Sequence, residues 1–217
     1  MSIIEKTAVR DIYSKIAHHF SDKRQTQWDW ITRFIENVNV NKINKFINVL
    51  DIGCGNGRNM TGFNPEMCSV FGIDNCEEFV KICNDKKLNV IQSDMSKIPF
   101  KDNYFHYFLS IASFHHLSTV ERRIQTLREL NRVAENGALM LISVWSLKQP
   151  ENTPQSKKIK GYGDNLVLWN KDGKIYDRYY YIFKVDEITR LFNQTGWKIL
   201  SHTWEYGNEV FIITKLN

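Results

Sequence analysis

The sequence predicts one α/β domain whose core is a mostly parallel sheet with helices on both faces. Short apolar runs end at glycine or acidic residues, which is typical of buried parallel strands. Amphipathic stretches with helical spacing separate these runs and supply the crossover helices that parallel strands need. The 217 residues suffice for one domain with a proper core. Residues 1–45 are predicted as an N-terminal helical cap, and the polar residues 150–175 as a long loop.

Five apolar runs are predicted as parallel strands, and two further strands close the sheet. In chain order they cover residues 46–51, 69–74, 88–93, 104–111, 138–144, 197–204 and 209–214. Helices are predicted over residues 3–20, 27–38 and 186–193, and residues 77–84 are either helix or loop. Capping boxes mark two helix starts, Ser2 with Glu5 and Ser118 with Glu121, and the second of these helices is predicted to end at Asn136–Gly137.

Composition argues against several protein classes. No run of about 18 apolar residues exists, so we expect no membrane span. The N-terminus lacks the basic and apolar regions of a secretory signal, and we expect a cytoplasmic protein, with the nucleus as a second compartment. The cysteines form no C-x-x-C pair, which favours buried reduced thiols and no metal site: Cys54, Cys68, Cys76 and Cys83.

The net charge of +5 is smaller than a DNA-coating protein usually carries, so no DNA partner is expected. Basic residues do recur in small groups. These groups are either solvated surface or a phosphate-tracking surface around a site: Lys23–Arg24, Arg122–Arg123, Lys157–Lys158–Lys160 and Lys171–Lys174–Arg178.

A glycine motif carries the strongest signal for a ligand. A strand leads through Asp51 into Gly53, Gly55 and Gly57, and glycine lets the backbone approach a ligand closely. Dinucleotide sites use G-x-G-x-x-G, whereas this turn is D-x-G-x-G-x-G. The methionine end of S-adenosylmethionine (SAM) carries an ammonium that the acid at the turn can meet. The pattern therefore favours SAM as the cofactor.

Acids at the next two strand ends support the same cofactor. Asp74 ends the second strand, where an acid can accept both ribose hydroxyls. Asp94 and Met95 follow the third strand and together could cap the adenine by a hydrogen bond and an apolar contact. Asn75, next to Asp74, and Ile111, at the end of the fourth strand, complete the predicted cofactor site.

Together these features resemble the class I SAM methyltransferases, a Rossmann-like fold with a mostly parallel seven-stranded sheet. More narrowly, the chain is similar over nearly its whole length to eukaryotic tRNA methyltransferases that esterify 5-carboxymethyluridine at the wobble position. The same module occurs fused to an AlkB-type oxygenase in animals. The matching segments are residues 9–21, 24–28, 50–59, 110–112, 115–123, 145–149, 178–180 and 204–208.

The resemblance implies methyl transfer to a carboxylate, which is already ionised at pH 7 and needs no general base. It does need a donor that holds it in line with the methyl group. Arg24 is the candidate for this role, His115 or His116 for a second hydrogen bond, and Tyr13 for closing a lid over SAM. Arg24 could instead lie at the surface or bind the SAM carboxylate, and Tyr13 and one histidine could be core residues.

Two partners follow from the resemblance, tRNA and a small zinc-ribbon activator protein in a heterodimer. In the usual strand order of this fold, residues 88–93 lie at a sheet edge, and an apolar edge strand without proline can accept a strand from another chain. The alternative is that another part of this chain covers the edge. Trp169 and residues 179–181 could stack on an exposed anticodon base, although strand alternation would bury some of them.

Residues 150–175 would then be a substrate-side loop. Two other functions remain open at this point. One is a methyltransferase of the same fold that acts on a small molecule or lipid precursor. The other is a SAM-binding regulatory subunit without activity, against which the intact glycine motif and strand-end acids argue.

Overall fold

The computed structural model describes residues 1–40, 46–151 and 159–216, and a seven-stranded sheet forms its centre. The strands of this sheet are β1 (Ile47–Ile52), β2 (Cys68–Asp74), β3 (Val90–Gln92), β4 (Phe105–Ile111), β5 (Ala134–Trp145), β8 (Trp197–Glu205) and β9 (Asn208–Lys215). Their order is β3-β2-β1-β4-β5-β9-β8, and β9 pairs antiparallel with both β5 and β8, whereas the other described pairings of this sheet are parallel. The predicted fold class is confirmed, and so is the position of the third strand, β3, at a sheet edge.

Helices cover both faces of the sheet, and further helices form the N-terminal part of the chain. They are α1 (Ile3–Glu5), α2 (Asp11–Lys23), α3 (Asp29–Val40), α4 (Glu77–Asp85), α5 (Val120–Val133) and α6 (Val185–Gln194). A π-helical stretch, Lys6–Arg10, joins α1 to α2. The predicted capping box is present, since Ser2 accepts a bond from the Glu5 N–H and Glu5 bonds back to the Ser2 N–H. Residues 41–45 of the predicted cap lie outside the described residues.

Apolar side chains fill both faces of the sheet. One face packs Phe105, Phe108 and Trp197 against α5 and α6, and the other packs Ile31 and Phe34 of α3 against β1. Burial on both faces explains why the strands read as nearly continuous apolar runs. The four cysteines are buried and unbridged, as expected. Among the described helices, none is both long and apolar enough to cross a membrane.

The predicted loop at 150–175 is wrong over its second half. Residues from Gly163 onward form an antiparallel hairpin of β6 (Gly163–Lys171) and β7 (Lys174–Ile182). Buried Asn165, Val167 and Trp169 alternate with exposed Leu166 and Leu168 on β6. The period is hidden in the sequence because leucines occupy exposed positions and an asparagine occupies a buried one. Residues 152–158 lie outside the described part of the chain.

Two local predictions are also corrected. Helix α5 is capped by Thr119, which accepts the Arg122 N–H, because Ser118 is engaged by Glu5 instead. The helix ends at Val133, and Gly137 lies inside β5 with a φ of 75°, where the pairing with β4 shifts register. Glycine there serves a strand irregularity rather than a helix end.

The basic groups do not form one exposed surface. Arg123 and Arg178 are buried, and Arg122 is largely buried in ion pairs, so none of the three belongs to a solvated outer surface that could track phosphates. Lys157 and Lys158 lie outside the described residues. Buried or largely buried arginines normally have acidic partners, because an unpaired charge is costly to desolvate.

The N-terminal helices, α4 and the hairpin pack together above the sheet. Their shared cluster includes Val9, Tyr13, Phe79, Trp169 and Tyr179. This cluster roofs the space at the carboxyl ends of β1, β2 and β4, where ligands bind in open α/β sheets.

Candidate active site

A cavity of about 460 Å³ lies between the strand ends and this roof. Its size is ordinary for a small-molecule site. Most of the predicted site residues line it: Tyr13, Arg24, Gly53, Gly55, Asp74, Asn75, Asp94, Met95, Ile111 and His116. Three predicted residues do not line it: Asp51, Gly57 and His115.

The glycine turn leaves room for a ligand at one position. A Cβ at Gly57 would fall 2.3 Å from Cδ1 of Leu88, so this glycine is needed for packing. A Cβ at Gly55 would meet no described atom within 4 Å, because it would point into the cavity. Both residues have positive φ, 56° at Gly55 and 75° at Gly57, which favours glycine. Gly55 therefore provides the surface against which a cofactor can lie.

Two carboxyl groups sit next to this turn with raised pKa values. Burial, reinforced by the nearby charge of Asp74, raises the pKa of Asp51 to about 7, and Arg58 opposes the shift. Burial also raises the pKa of Asp74 to about 6, although the N–H groups of Cys76 and Gly55 donate to it. Both Asp51 oxygens lack a hydrogen-bond partner within the described ranges. A buried, unpaired acid of this kind fits an ammonium group.

Arg58 is a site residue that the sequence analysis did not single out. Burial lowers its pKa to about 10, with the Arg24 cation acting in the same direction and Asp51 opposing both. Its guanidinium lies 4.9 Å from the centre of the Trp28 ring. Arg58 and Asp51 are close enough for each to shift the pKa of the other, which suits the zwitterion at the methionine end of SAM. Its place directly after Gly57 was the only signal available.

The residues at this end therefore fit SAM. Arg58 would hold the SAM carboxylate, Asp74 the ribose hydroxyls, and Met95 would contact the adenine. Asp51, which is buried and does not line the cavity, would attract the ammonium from behind the turn. The backbone at Gly55 would lie against the cofactor without a side chain in the way.

Asp94 is held in place by an ion-pair network. Arg122 Nη2 donates to both Asp94 carboxylate oxygens, at 2.8 and 2.7 Å, and Arg122 Nε donates to Glu5 at 3.0 Å. Burial alone would raise the pKa of Asp94, but the N–H of Ser96 and the Arg122 guanidinium outweigh it and hold that pKa below its ordinary value. The network ties α1 to the third strand end. A bond from Asp94 to adenine remains a prediction.

The opposite end of the cavity contains a chain of hydrogen bonds. Tyr13 Oη lies 3.1 Å from His116 Nε2 and 3.3 Å from Tyr180 Oη, and Arg178 Nη1 donates to it at 3.1 Å. His116 Nδ1 lies 2.7 Å from the Tyr179 carbonyl and must donate to it. Nε2 is then the acceptor, and the Tyr13 hydroxyl donates to it.

The structure separates the two histidines that the sequence left equivalent. His115 lies outside the cavity lining, and its Nδ1 accepts the Trp145 N–H at 3.0 Å. Burial lowers the pKa of His116 to about 3 and holds that of His115 well below its ordinary value. Both rings are therefore neutral at pH 7. Of the two, only His116 lines the cavity, and its Nε2 is hydrogen-bonded to the hydroxyl of Tyr13, which also lines the cavity.

Arg24 and the aromatic residues frame the same end. Arg24 is partly exposed and lies 5.8 Å from the Trp169 ring centre, and Arg178 lies 4.9 Å from the same ring. Trp169 and Tyr180 line the cavity, whereas Tyr179 is buried in the roof and its hydroxyl donates to Asp164. Alternation along β7 therefore points Tyr180 to the cavity and Tyr179 into the roof, so only part of the aromatic run at 179–181 lines the cavity, as the alternative of partial burial predicted.

Comparison with known proteins agrees with this geometry. A family model described as a methyltransferase domain matches residues 50–142. The chain is 31% identical to a tRNA (carboxymethyluridine(34)-5-O)-methyltransferase of Schizosaccharomyces pombe over 94% of each chain. It is 36% identical to the Arabidopsis thaliana protein of that name over 71% of this chain, but spans only 36% of that protein. It is also 36% identical to the Xenopus tropicalis protein of that name over 73% of this chain, and it spans 24% of that protein.

Solved structures show the same fold at low sequence identity. A SAM-dependent methyltransferase from Clostridium acetobutylicum has a TM-score of 0.71 and 14% identity, covering 94% of this chain and 99% of that one. The SAM-bound amino pentose methyltransferase of Micromonospora echinaspora has a TM-score of 0.66 and 16% identity, covering 92% and 96%. This chain is a SAM-dependent methyltransferase, and it belongs to the tRNA (carboxymethyluridine(34)-5-O)-methyltransferase family.

Proposed function

We propose that this chain forms the methyl ester of 5-carboxymethyluridine at the wobble position of tRNA, with SAM as the methyl donor. The observation that carries this assignment is the charge at the acceptor end of the cavity. Arg24 lines that end, and in the described part of the chain it forms no ion pair with an acid. A cavity-lining cation with no acidic partner among the described residues suits a carboxylate acceptor.

The chemistry needs alignment rather than proton transfer. Bound SAM supplies an electrophilic methyl group on a sulfonium sulfur. An acceptor carboxylate oxygen forms the new C–O bond as the methyl C–S bond breaks, and that electron pair stays on sulfur. The carboxylate is ionised at pH 7, and the neutral His116 is not required as a base. The roles of the protein are to orient the acceptor and to exclude water.

A nucleobase suits the walls of this end. Trp145, Trp169 and Tyr180 line the cavity, and aromatic rings stack on unpaired bases with little regard to sequence. The relatives named as tRNA methyltransferases support the same substrate class. The alternative of a small-molecule acceptor draws no support from them.

A zinc-ribbon activator protein is the proposed partner, bound at edge strand β3. Ile91 on β3 is 42% exposed, and β3 pairs on one side only within the described sheet. An apolar edge can accept a strand from another chain. The partner proposal fails if the chain alone is monodisperse, soluble and fully active.

The test is methyl transfer from radiolabelled SAM to tRNA that carries 5-carboxymethyluridine, with and without the activator. We expect label that alkali releases, as from an ester, and stronger labelling with the activator. The matched control is tRNA with unmodified uridine at the same position. Bound SAM without labelling in either condition would contradict the proposed function.

A further inference from the structure

Arg178 is a buried cation whose charge is not paired. It lies on β7, is 3% exposed and lines the cavity. Its guanidinium donates one side-chain hydrogen bond, to Tyr13 Oη, and its Nε has no partner within the described ranges. No described carboxylate forms an ion pair with it. Buried charges are normally paired, because desolvation without compensation is unfavourable.

Aromatic rings surround this guanidinium. Its central carbon lies 4.9, 5.2 and 5.7 Å from the ring centres of Trp169, Tyr180 and Tyr13. Ring faces stabilise the positive charge but cannot accept all of its N–H donors. The three rings therefore exclude water from the Arg178 guanidinium but leave some of its N–H donors without an acceptor, although Arg178 lines the cavity.

Partly buried Arg122 and buried Arg123 have acidic partners, which Arg178 lacks within the described residues. Arg122 pairs with Asp94 at 2.7 Å, and Arg123 lies 3.8 Å from Glu187 while its Nε donates to a backbone carbonyl. Their role is to connect elements of the fold. Arg178 differs in that it lines the cavity and no described residue supplies its anion, so an anion bound in the cavity would be its partner.

The hydrogen-bond chain fixes the direction of this guanidinium. His116 donates from Nδ1 to the Tyr179 carbonyl, so the Tyr13 hydroxyl must donate to His116 Nε2. The Tyr13 oxygen is then an acceptor for Arg178 Nη1. His116 and Tyr13 are thus positioning residues, and they prevent Arg178 from turning away from the cavity.

We infer that Arg178 is the group that binds the acceptor carboxylate, with Arg24 nearer the entrance. This inference rests on the proposed function and adds the specificity-determining residue to it. A bidentate bond would hold both carboxylate oxygens in one plane and leave a lone pair free for attack. An uncharged amide in the same place could not neutralise the buried cation, so the site selects the acid over its amide.

The test uses two tRNAs that differ only at the wobble position, one carrying 5-carboxymethyluridine and one its neutral analogue 5-carbamoylmethyluridine. Binding of both, and methylation of the acid, are measured for the wild type, Arg178→Met and Arg178→Lys, with SAM affinity determined in parallel. We expect the wild type to bind the acid at least tenfold more tightly. Arg178→Met should lose this preference and roughly 30- to 1000-fold in kcat/KM, with SAM affinity retained.

Arg123→Met is the matched control, because it also removes a buried arginine stacked on aromatic rings. It should lower stability and keep the acid preference. If Arg178→Met also loses SAM binding, the inference is tested with Arg178→Lys instead. This variant keeps the positive charge but not the paired donors, so its preference for the acid over the amide should fall about tenfold. An unchanged preference and kcat/KM in a variant that binds SAM would overturn the inference and leave the proposed function standing. A wild type that methylates neither tRNA would instead refute the proposed function.

Discussion

The hydroxyl of Tyr13 on α2 lies 3.1 Å from Nε2 of His116, in the turn that follows β4. This bond joins the N-terminal helical cap to the catalytic edge of the sheet, although the two residues lie far apart in the sequence. Because the same hydroxyl accepts a bond from Arg178, one atom links the roof of the cavity to its only buried cation without an acidic partner in the described part of the chain.

Replacing Tyr13 with Phe should lower both stability and turnover. His116 Nε2 and Arg178 Nη1 would each lose a buried hydrogen-bond partner, which costs about 1–3 kcal/mol. SAM affinity should change little. Denaturant unfolding and steady-state kinetics measure the two effects. Tyr162→Phe, at a residue that is 53% exposed, is the control and should change neither. Wild-type stability in Tyr13→Phe would show that the bond does not hold the cap.

Replacing Asp51 with Asn should change how the stability of the SAM-free protein depends on pH. The pKa of Asp51 is raised from 3.8 to about 7, chiefly by burial. A raised acid pKa favours the folded state fully below about pH 3.8, and this contribution is lost as the pH rises towards 7. Relative to the wild type, Asp51→Asn should therefore gain about 1–3 kcal/mol between pH 5 and 8. It should also bind SAM more weakly.

The measurement is denaturant unfolding at several pH values, together with calorimetry of SAM binding. Glu66→Gln, at an exposed residue, is the control and should follow the wild-type profile. Parallel pH profiles for the wild type and Asp51→Asn would contradict the burial of an unpaired carboxyl.

Asp74→Ala and Arg24→Ala should separate cofactor binding from acceptor binding. Asp74 accepts the Gly55 N–H of the glycine turn and the Cys76 N–H at the start of α4, and its loss should abolish SAM binding. Arg24→Ala should leave SAM affinity unchanged and reduce turnover. Equilibrium dialysis with labelled SAM and single-turnover methylation provide the two readouts. If Arg24→Ala loses SAM affinity in step with Asp74→Ala, Arg24 belongs to the cofactor side.

Gly55→Ala and Gly57→Ala should impair the protein in different ways, the first mainly in SAM binding and the second mainly in stability. Both force alanine into a positive φ, which costs about 1–2 kcal/mol. The added methyl group meets nothing at Gly55 but falls 2.3 Å from Leu88 Cδ1 at Gly57. We expect Gly55→Ala to lose SAM affinity more than stability, and Gly57→Ala to lose stability first. Thermal unfolding with and without SAM distinguishes them, and equal behaviour of the two variants would refute the assignment of Gly55 to the cofactor surface.

Local patterns were sufficient for most of the fold. The apolar strands, the amphipathic helices and the Ser2–Glu5 cap each depend on residues close in sequence, and the structure contains all of them. The hairpin of β6 and β7 was missed because apolar Leu166 and Leu168 are exposed while polar Asn165 is buried, so the alternation of burial is not an alternation of polarity. The cap of α5 was misplaced because Ser118 bonds to Glu5, a contact that no local rule contains.

For the site, the sequence by itself determined the cofactor end, and tertiary structure decided the acceptor end. Asp51, Gly55 and Asp74 follow neighbouring strands, and parallel strands must bring their carboxyl ends together. Nothing local could distinguish His115 from His116 or reveal that Arg178 is buried with no acidic partner among the described residues. Those properties depend on burial and on partners contributed by α2, the turn after β4 and the hairpin, which only chain packing brings together.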